Sequence, residues 1–312
     1  MQSIMTLTIN PAIDFATSVE KMSPVHKLRC DAPRRDPGGG GINVARVISR
    51  LGGDVSAIYP VGGVLGQLLH ELIHSEGVRG ITFTTSEETR ANFTVTENAT
   101  GSEYRFVMPG PALAEKEWKQ CLRELSSMSN PPDVFVMSGS LSPGLPHDFY
   151  ARVARIANEQ GIKVVIDTSG PAFAAALAEG LYLIKPNLRE LRELTQQPLE
   201  DEKSWLVTCR TLISAGRAKL VALSLGNQGA LLVGDKLALR VSALPIKPVS
   251  SVGAGDSFLG AMVWALTVNR GEEEALRLAI AAASASLLRP GTELCSNEDV
   301  ARLYPHVIVH AL

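Results

Sequence analysis

The octapeptide Ser251-Val252-Gly253-Ala254-Gly255-Asp256-Ser257-Phe258 runs directly into the helix-like stretch Leu259–Thr267. Its small residues let successive backbone N–H groups converge on one point, and a helix starting there adds its positive end. Such a point holds an anion. A carboxylate beside it, Asp256, can take a proton from a hydroxyl while Gly253, Ala254, Gly255 and Asp256 form a hole for an incoming phosphoryl group. The helix N-terminus is expected to keep that carboxyl ionised at neutral pH. A plainer role fits the same residues: a tight loop with Asp256 as the N-cap.

A second run, Pro37-Gly38-Gly39-Gly40-Gly41-Ile42-Asn43-Val44-Ala45-Arg46-Val47, strips the backbone of side chains just before a helix whose buried face is Val44, Val47, Ile48 and Leu51. Asn43, in its first turn, offers a ligand both a donor and an acceptor. No Gly-Lys-Ser/Thr follows, and the spacing is not G-x-G-x-x-G, so this is neither a P-loop nor a dinucleotide fingerprint. Its plain alternative is a flexible loop. In Lys185-Pro186-Asn187-Leu188-Arg189-Glu190, Asn187 and Glu190 lie one helical turn apart. That pair suits a hydrated Mg²⁺, which needs few protein ligands. It equally suits a capping box, and the two roles are compatible.

His70-Glu71-Leu72-Ile73-His74 spells a zinc-protease H-E-x-x-H. The longer form of that motif wants a third histidine where Gly80 stands. On a helical wheel Leu65, Leu68, Leu69, Leu72 and Ile73 take the buried side, which leaves both histidines on a solvated face.

The elements that must position these groups alternate. Ala57–Val61, Val134–Met137, Val164–Ile166, Leu181–Ile184 and Leu220–Leu223 read as buried strands. Amphipathic stretches Leu65–Glu76, Asp148–Gln160 and Ser204–Ala215 lie between them. This pattern predicts a mainly parallel sheet with helices on both faces, a three-layer α/β/α domain. The polar tips Ser138-Gly139-Ser140, Asp167-Thr168-Ser169-Gly170, Lys185-Pro186-Asn187 and Ser224-Leu225-Gly226 then line one crevice at the strand ends. Segments 15–36 and 86–108 break the rhythm and read as a small antiparallel sheet, a lid, outside a core formed by 1–14, 37–85 and 109–312.

Net charge is −2, which favours neither nucleic acid nor an anionic membrane as partner, although Lys27, Arg29, Arg34 and Arg35 cluster locally. Cys30, Cys121, Cys209 and Cys295 are widely spaced and suit a reducing compartment. Met1–Asn10 reads as a strand without signal-peptide character, and Leu276–Leu288 is too short to span a bilayer. The expected location is cytoplasmic.

These motifs, in this order over nearly the whole chain, resemble the ribokinase-like (PfkB) sugar kinases, most closely the minor, type 2, 6-phosphofructokinases. The resemblance rests on Thr8–Asp14, Gly38–Gly53, Asn187-x-x-Glu190 and Ser250–Met262, with Lys27-Leu28-Arg29-Cys30 and Tyr104–Gly110 pointing to the type 2 group. It implies a glycolytic, ATP-dependent transfer to the free primary hydroxyl of a sugar phosphate, with Asp256 as base. It further implies that Asp14, Gly39, Gly40, Asn43 and Ser140 hold the sugar. Lys27 and Arg90 would bind its phosphate, with Arg29 reaching from a second copy in a homodimer formed through the lid. Lys185, Asn187, Ser224, Gly226 and Gly229 would line the ATP site, and Glu190 would order Mg²⁺. Relatives also build a monovalent-cation site on carbonyls near Leu288–Glu293, where Pro290 and Glu293 in this chain count against potassium activation.

Fructose 6-phosphate is the expected substrate, with tagatose 6-phosphate and fructose 1-phosphate as rivals. A non-catalytic sugar-phosphate sensor would keep the fold but lose the base, and Asp256 is present.

Overall fold

The computed structural model describes residues 2–312. The chain opens with β1 (Ile4–Leu7), β2 (Ala12–Val19), β3 (Arg34–Gly38) and α1 (Gly40–Arg50). It continues through β4 (Val55–Val61), α2 (Gly63–Ser75), β5 (Arg79–Thr84), β6 (Arg90–Glu97) and β7 (Ser102–Phe106). The middle comprises α3 (Glu115–Ser126), β8 (Val134–Ser138), α4 (Phe149–Glu159), β9 (Lys163–Asp167), α5 (Gly170–Ala176) and β10 (Leu181–Ile184). After α6 (Leu188–Thr195) and α7 (Glu202–Ser214) come β11 (Ala218–Ser224), β12 (Ala230–Val233) and β13 (Ala238–Val241). Helices α8 (Ala254–Thr267), α9 (Glu272–Leu287) and α10 (Asn297–Leu303) precede the last strand, β14 (Val309–Ala311).

Ten strands form one sheet in the order β14-β13-β12-β11-β10-β9-β8-β1-β4-β5. Pairing is parallel from β11 to β5 and antiparallel from β11 to β14. Successive strand residues face opposite layers. Val134 and Val136 pack into the cluster built with α1, α2, α8 and α9. Phe135 and Met137 pack into the cluster that holds Trp118 of α3, Phe149 and Val153 of α4, and Trp205 of α7. Both faces are therefore dry, which is why the strands read as unbroken apolar runs. Among the described residues no helix is long and apolar enough to cross a membrane.

The small sheet has the order β3-β2-β6-β7. It is mixed rather than antiparallel, because β2 and β6 pair in parallel over eight residues, from Ala12↔Arg90 to Val19↔Glu97. Its strands also extend beyond 15–36, since Ala12 and Gly38 are paired residues. Alternation in each segment exposes a strand but not its partner's direction, which depends on how the core delivers the two chains. Residues 20–33, with Lys27 and Arg29, form no strand.

Candidate active site

Because β8, β9 and β10 run parallel, their polar ends emerge on one side of the sheet, where the N-termini of α1 and α8 also arrive. Together they enclose a cavity of about 290 Å³ lined by Gly40, Ser138, Ser140, Asp167, Glu190 and Asp256 among others. A second cavity of about 500 Å³ shares Ser140 with it and is lined by Asn10, Arg90, Met108, Pro109 and His147. The two cavities meet at Ser140, with Asp256 lining the smaller and Arg90 the larger, and together they make up the crevice.

Gly253 is the N-cap of α8, in the left-handed region at φ 74°, with no side-chain cap. A Cβ there would also stand 2.4 Å from Leu294 Cδ2, so only glycine fits. Asp256 is consequently not the N-cap. It sits in the first turn, beside backbone N–H groups that have no partner within the helix. The Asn43 amide donates to Asp256 Oδ2 at 2.8 Å. Burial raises the Asp256 pKa to about 7; the Asp167 and Asp14 carboxylates add to the rise, and Asn43 and Lys185 oppose it. The expectation that the helix end keeps Asp256 ionised at neutral pH is therefore corrected. A partial helix charge at a surface is a weak effect, and here desolvation outweighs it.

The glycine run serves the protein's own packing as well as the crevice. A Cβ at Gly41 would lie 2.5 Å from the Leu7 carbonyl oxygen of β1, and one at Gly40 would lie 2.3 Å from Ser138 Oγ. The first turn of α1 therefore rests directly on β1 and β8. Gly40 reaches the cavity wall, Gly39 caps α1, and Asn43 is buried against Asp256.

Lys185 is buried and its ammonium lies 3.0 Å from Asp167 Oδ2. Burial pulls it towards the neutral amine, but Asp167, helped by Asp256 and Glu190, holds its pKa above the ordinary lysine value. A Cβ on Gly255 would be 3.5 Å from this ammonium, so a fixed cation stands next to the first turn of α8. Asp167 itself was not singled out as a site residue by sequence; its only signal was a polar side chain at a strand tip. Asn187 and Glu190 form the capping box of α6, with Glu190 Oε2 accepting from Asn187 N and Asn187 Oδ1 accepting from Glu190 N, both at 2.9 Å. This leaves Glu190 Oε1 outside the box, on a residue that lines the smaller cavity. Ser224 bridges to Asn187 at the next strand tip. Gly226 opens onto free space, whereas a Cβ at Gly229 would strike the Val241 carbonyl. Gly229 thus shapes the turn between β11 and β12.

On the lid side, Asp14 accepts from Asn92 at 2.8 Å, and burial raises its pKa despite that bond and Arg90. Arg90 donates to the carbonyls of Asn10 at 2.9 Å and Met108 at 2.5 Å, so it braces the lid as well as lining the larger cavity. Lys27 and Arg29 are exposed and the fold does not bring them to the crevice wall. Arg34 leaves the basic cluster altogether: it pairs with Asp36 at 2.9 Å and Glu293 at 3.3 Å, and donates to the Pro290 carbonyl. On α2, His70 and His74 are exposed, and His70 Nδ1 contacts the Tyr59 hydroxyl at 2.9 Å.

The chain has close counterparts. Residues 1–299 match the model of the pfkB family carbohydrate kinases. The chain is 44% identical, over 96% of its length and 88% of the relative's, to the ATP-dependent 6-phosphofructokinase isozyme 2 of Mycobacterium tuberculosis. The crystal structure of phosphofructokinase-2 from Escherichia coli in complex with fructose-6-phosphate superposes with a TM-score of 0.92 at 41% identity, covering 98% of this chain and 99% of that one. The same enzyme in complex with potassium gives 0.93 at 42% identity, with the same coverage. The fold, the crevice and these likenesses agree, and the chain belongs to the pfkB family of carbohydrate kinases.

Proposed function

We propose that the chain transfers the γ-phosphoryl group of ATP to the free primary hydroxyl of fructose 6-phosphate, giving fructose 1,6-bisphosphate. The carrying observation is a pair of cavities that meet at Ser140, with the Asp256 carboxylic acid among the residues lining the smaller and Arg90 among those lining the larger. A substrate that carries one unreactive phosphate and one reacting hydroxyl spans that arrangement. The names of relatives at 41–44% identity point to the same substrate.

In this reading Asp256 accepts the hydroxyl proton while the first turn of α8 holds the transferring group, and Lys185 balances its charge. Asp14, Gly39, Gly40 and Ser140 hold the sugar. Asn187, Ser224 and Gly226 line the nucleotide side, with Gly229 fixing the turn beside them. Glu190, with one carboxylate oxygen outside the capping box, would order a hydrated Mg²⁺. Bound there, Mg²⁺ neutralises charge on the nucleotide phosphates.

Lys27 joins Arg90 at the sugar's phosphate when the lid is completed by a second copy, which also brings its Arg29. Phe93, Phe106 and Val107 on the lid are 42%, 45% and 60% exposed, an apolar surface that a homodimer would cover. Such an enzyme works in the cytoplasm, where ATP is supplied.

The test is a coupled ADP-release assay across fructose 6-phosphate, tagatose 6-phosphate, fructose 1-phosphate and fructose. The highest kcat/KM belongs to fructose 6-phosphate; a higher value for either rival replaces it as substrate. Exchanging K⁺ for Na⁺ in the same assay tests the monovalent cation.

A further inference from the structure

Arg46 is an anomaly on α1. It heads the large side chains sealed in the interior, 1% exposed, on a helix otherwise buried through Ile42, Val44, Val47 and Ile48. Burying a guanidinium is costly unless its donors are met, and an apolar side chain of similar size would fill the space more cheaply. Every branch of Arg46 has an acceptor. Nε and Nη2 donate to Glu76 Oε1 at 3.1 and 2.8 Å, where the chain leaves α2. Nη1 donates to the Pro37 carbonyl at 3.0 Å, the Thr292 carbonyl at 3.2 Å and Asn43 Oδ1 at 3.3 Å. Glu76 is fixed in turn by Arg50, which reaches both of its oxygens.

The bond to Asn43 decides something that the shape of Asn43 cannot. An asparagine amide presents an oxygen and an NH₂ of nearly the same size, and either could face a neighbour. A guanidinium only donates, so it holds the oxygen of Asn43 on its own side. The NH₂ is thereby left to face Asp256, to which it donates at 2.8 Å. Turned the other way, the amide would set an oxygen against a carboxylate.

We propose that Arg46, held by Glu76, is a positioning residue for phosphoryl transfer: it fixes the Asn43 amide so that an N–H, not a carbonyl oxygen, meets the Asp256 carboxylate. The proposal rests on the reading of Asp256 as the base. A donor on the carboxylate favours its ionised form and opposes the effect of burial. The other charged groups around Asp256 are Asp167 at the end of β9, Lys185 after β10, Asp14 on β2 and Glu190 on α6. None of them is a hydrogen-bond partner of Arg46, so its influence on the base runs through Asn43.

The experiment measures kcat/KM for fructose 6-phosphate against pH, together with Tm, on the full-length enzyme. Arg46→Lys keeps a charge for Glu76 but cannot reach Glu76 and Asn43 together. Its acid limb is expected to move up by about one pH unit, a loss of ~fivefold at pH 7 that all but disappears by pH 9. Asn43→Ala moves the limb by the same amount, and the double variant moves it no further, because the two act in series. Glu76→Gln, which leaves Arg46 in place but less firmly held, gives a smaller displacement in the same direction. It decides the matter if Arg46→Lys does not fold. A lower Tm and equal losses at every pH, with the limb unmoved, would make Arg46 a purely structural residue and overturn the proposal. Additive displacements in the double variant would do the same. Near-normal turnover in Asp256→Asn is a separate result, and removes the base assignment instead.

Discussion

The Lys185 ammonium and the Asp167 carboxylate stand 3.0 Å apart at the ends of adjacent parallel strands, where Asp167 lines the crevice and Lys185 is buried. The pair places a positive charge beside the first turn of α8 and a negative one near Asp256. Asp167 is the largest charged contribution that raises the Asp256 pKa, and Lys185 works against it. In Asp167→Asn the repulsion disappears and Lys185 acts on Asp256 alone. The acid limb of kcat/KM is therefore expected at lower pH than in the wild type. A limb that moves upward would show that Asp167 acts on the base mainly by holding Lys185 in place.

For the wild type, kcat/KM reports the free enzyme's ionisations. With Asp256 at about pH 7, the base is only half available at neutrality. Activity is expected to rise tenfold per pH unit below that value and to level off above it. A profile already flat from pH 5 upward would mean that the base titrates like an ordinary surface carboxylate.

Asp256→Asn keeps the size of the side chain and removes the proton acceptor, so kcat is expected to fall by ~10²–10⁴-fold, with ATP binding nearly intact. The same substitution has a stability signature. Folding raises this carboxyl from an ordinary value of 3.8 to about 7. The folded state therefore binds the proton more tightly than the unfolded chain, and the stability tied to it is lost as pH climbs through that interval. The Asn variant should melt above the wild type at pH 8 and level with it at pH 4. Equal melting temperatures at both pH values would mean that Asp256 is well solvated.

Much of this was legible in the sequence because the signals are local. Apolar runs bounded by polar tips located β8, β9 and β10, and the two glycine segments located the starts of α1 and α8. The parallel partnership of β2 and β6 was not legible, since it joins residues some eighty positions apart. Asp167 stood among the polar strand tips with nothing to set it apart, and nothing local marked Arg46 for burial, since long charged side chains ordinarily keep their heads in water. The protonation of Asp256 depends on how deeply it is enclosed and on carboxylates brought in by β2 and β9, which no single segment contains. Lys27 and Arg29 were legible as charge but not as position, because 20–33 has no apolar pattern to anchor it to the core.

Lys27 and Arg90 are expected to behave differently when replaced, although the proposed function gives both to the same phosphate. Lys27 is exposed and forms no hydrogen bond or ion pair among the described residues, so Lys27→Ala removes one contact and disturbs little else. A hydrogen bond to a charged group contributes about 1.5–3 kcal/mol, which is roughly ten- to a hundred-fold in affinity. KM for fructose 6-phosphate should rise by that factor, while KM for ATP and kcat stay close to wild type. Arg90 also holds the carbonyls of Asn10 and Met108, and so ties β6 to the chain entering β2 and to the segment leaving the lid. Arg90→Ala should raise KM comparably and lower kcat as well, because a misplaced lid no longer aligns the hydroxyl with Asp256. Arg90→Lys separates the two roles: it keeps a charge for the phosphate but cannot serve two carbonyls in Arg90's fixed fork. It should recover part of KM and little of kcat. Unphosphorylated fructose is the control, because its slow turnover should be unchanged by Lys27→Ala and reduced by Arg90→Ala. If Lys27→Ala impairs fructose and fructose 6-phosphate equally, Lys27 does not read the phosphate, and that part of the proposed function falls back on Arg90 and the second copy's Arg29.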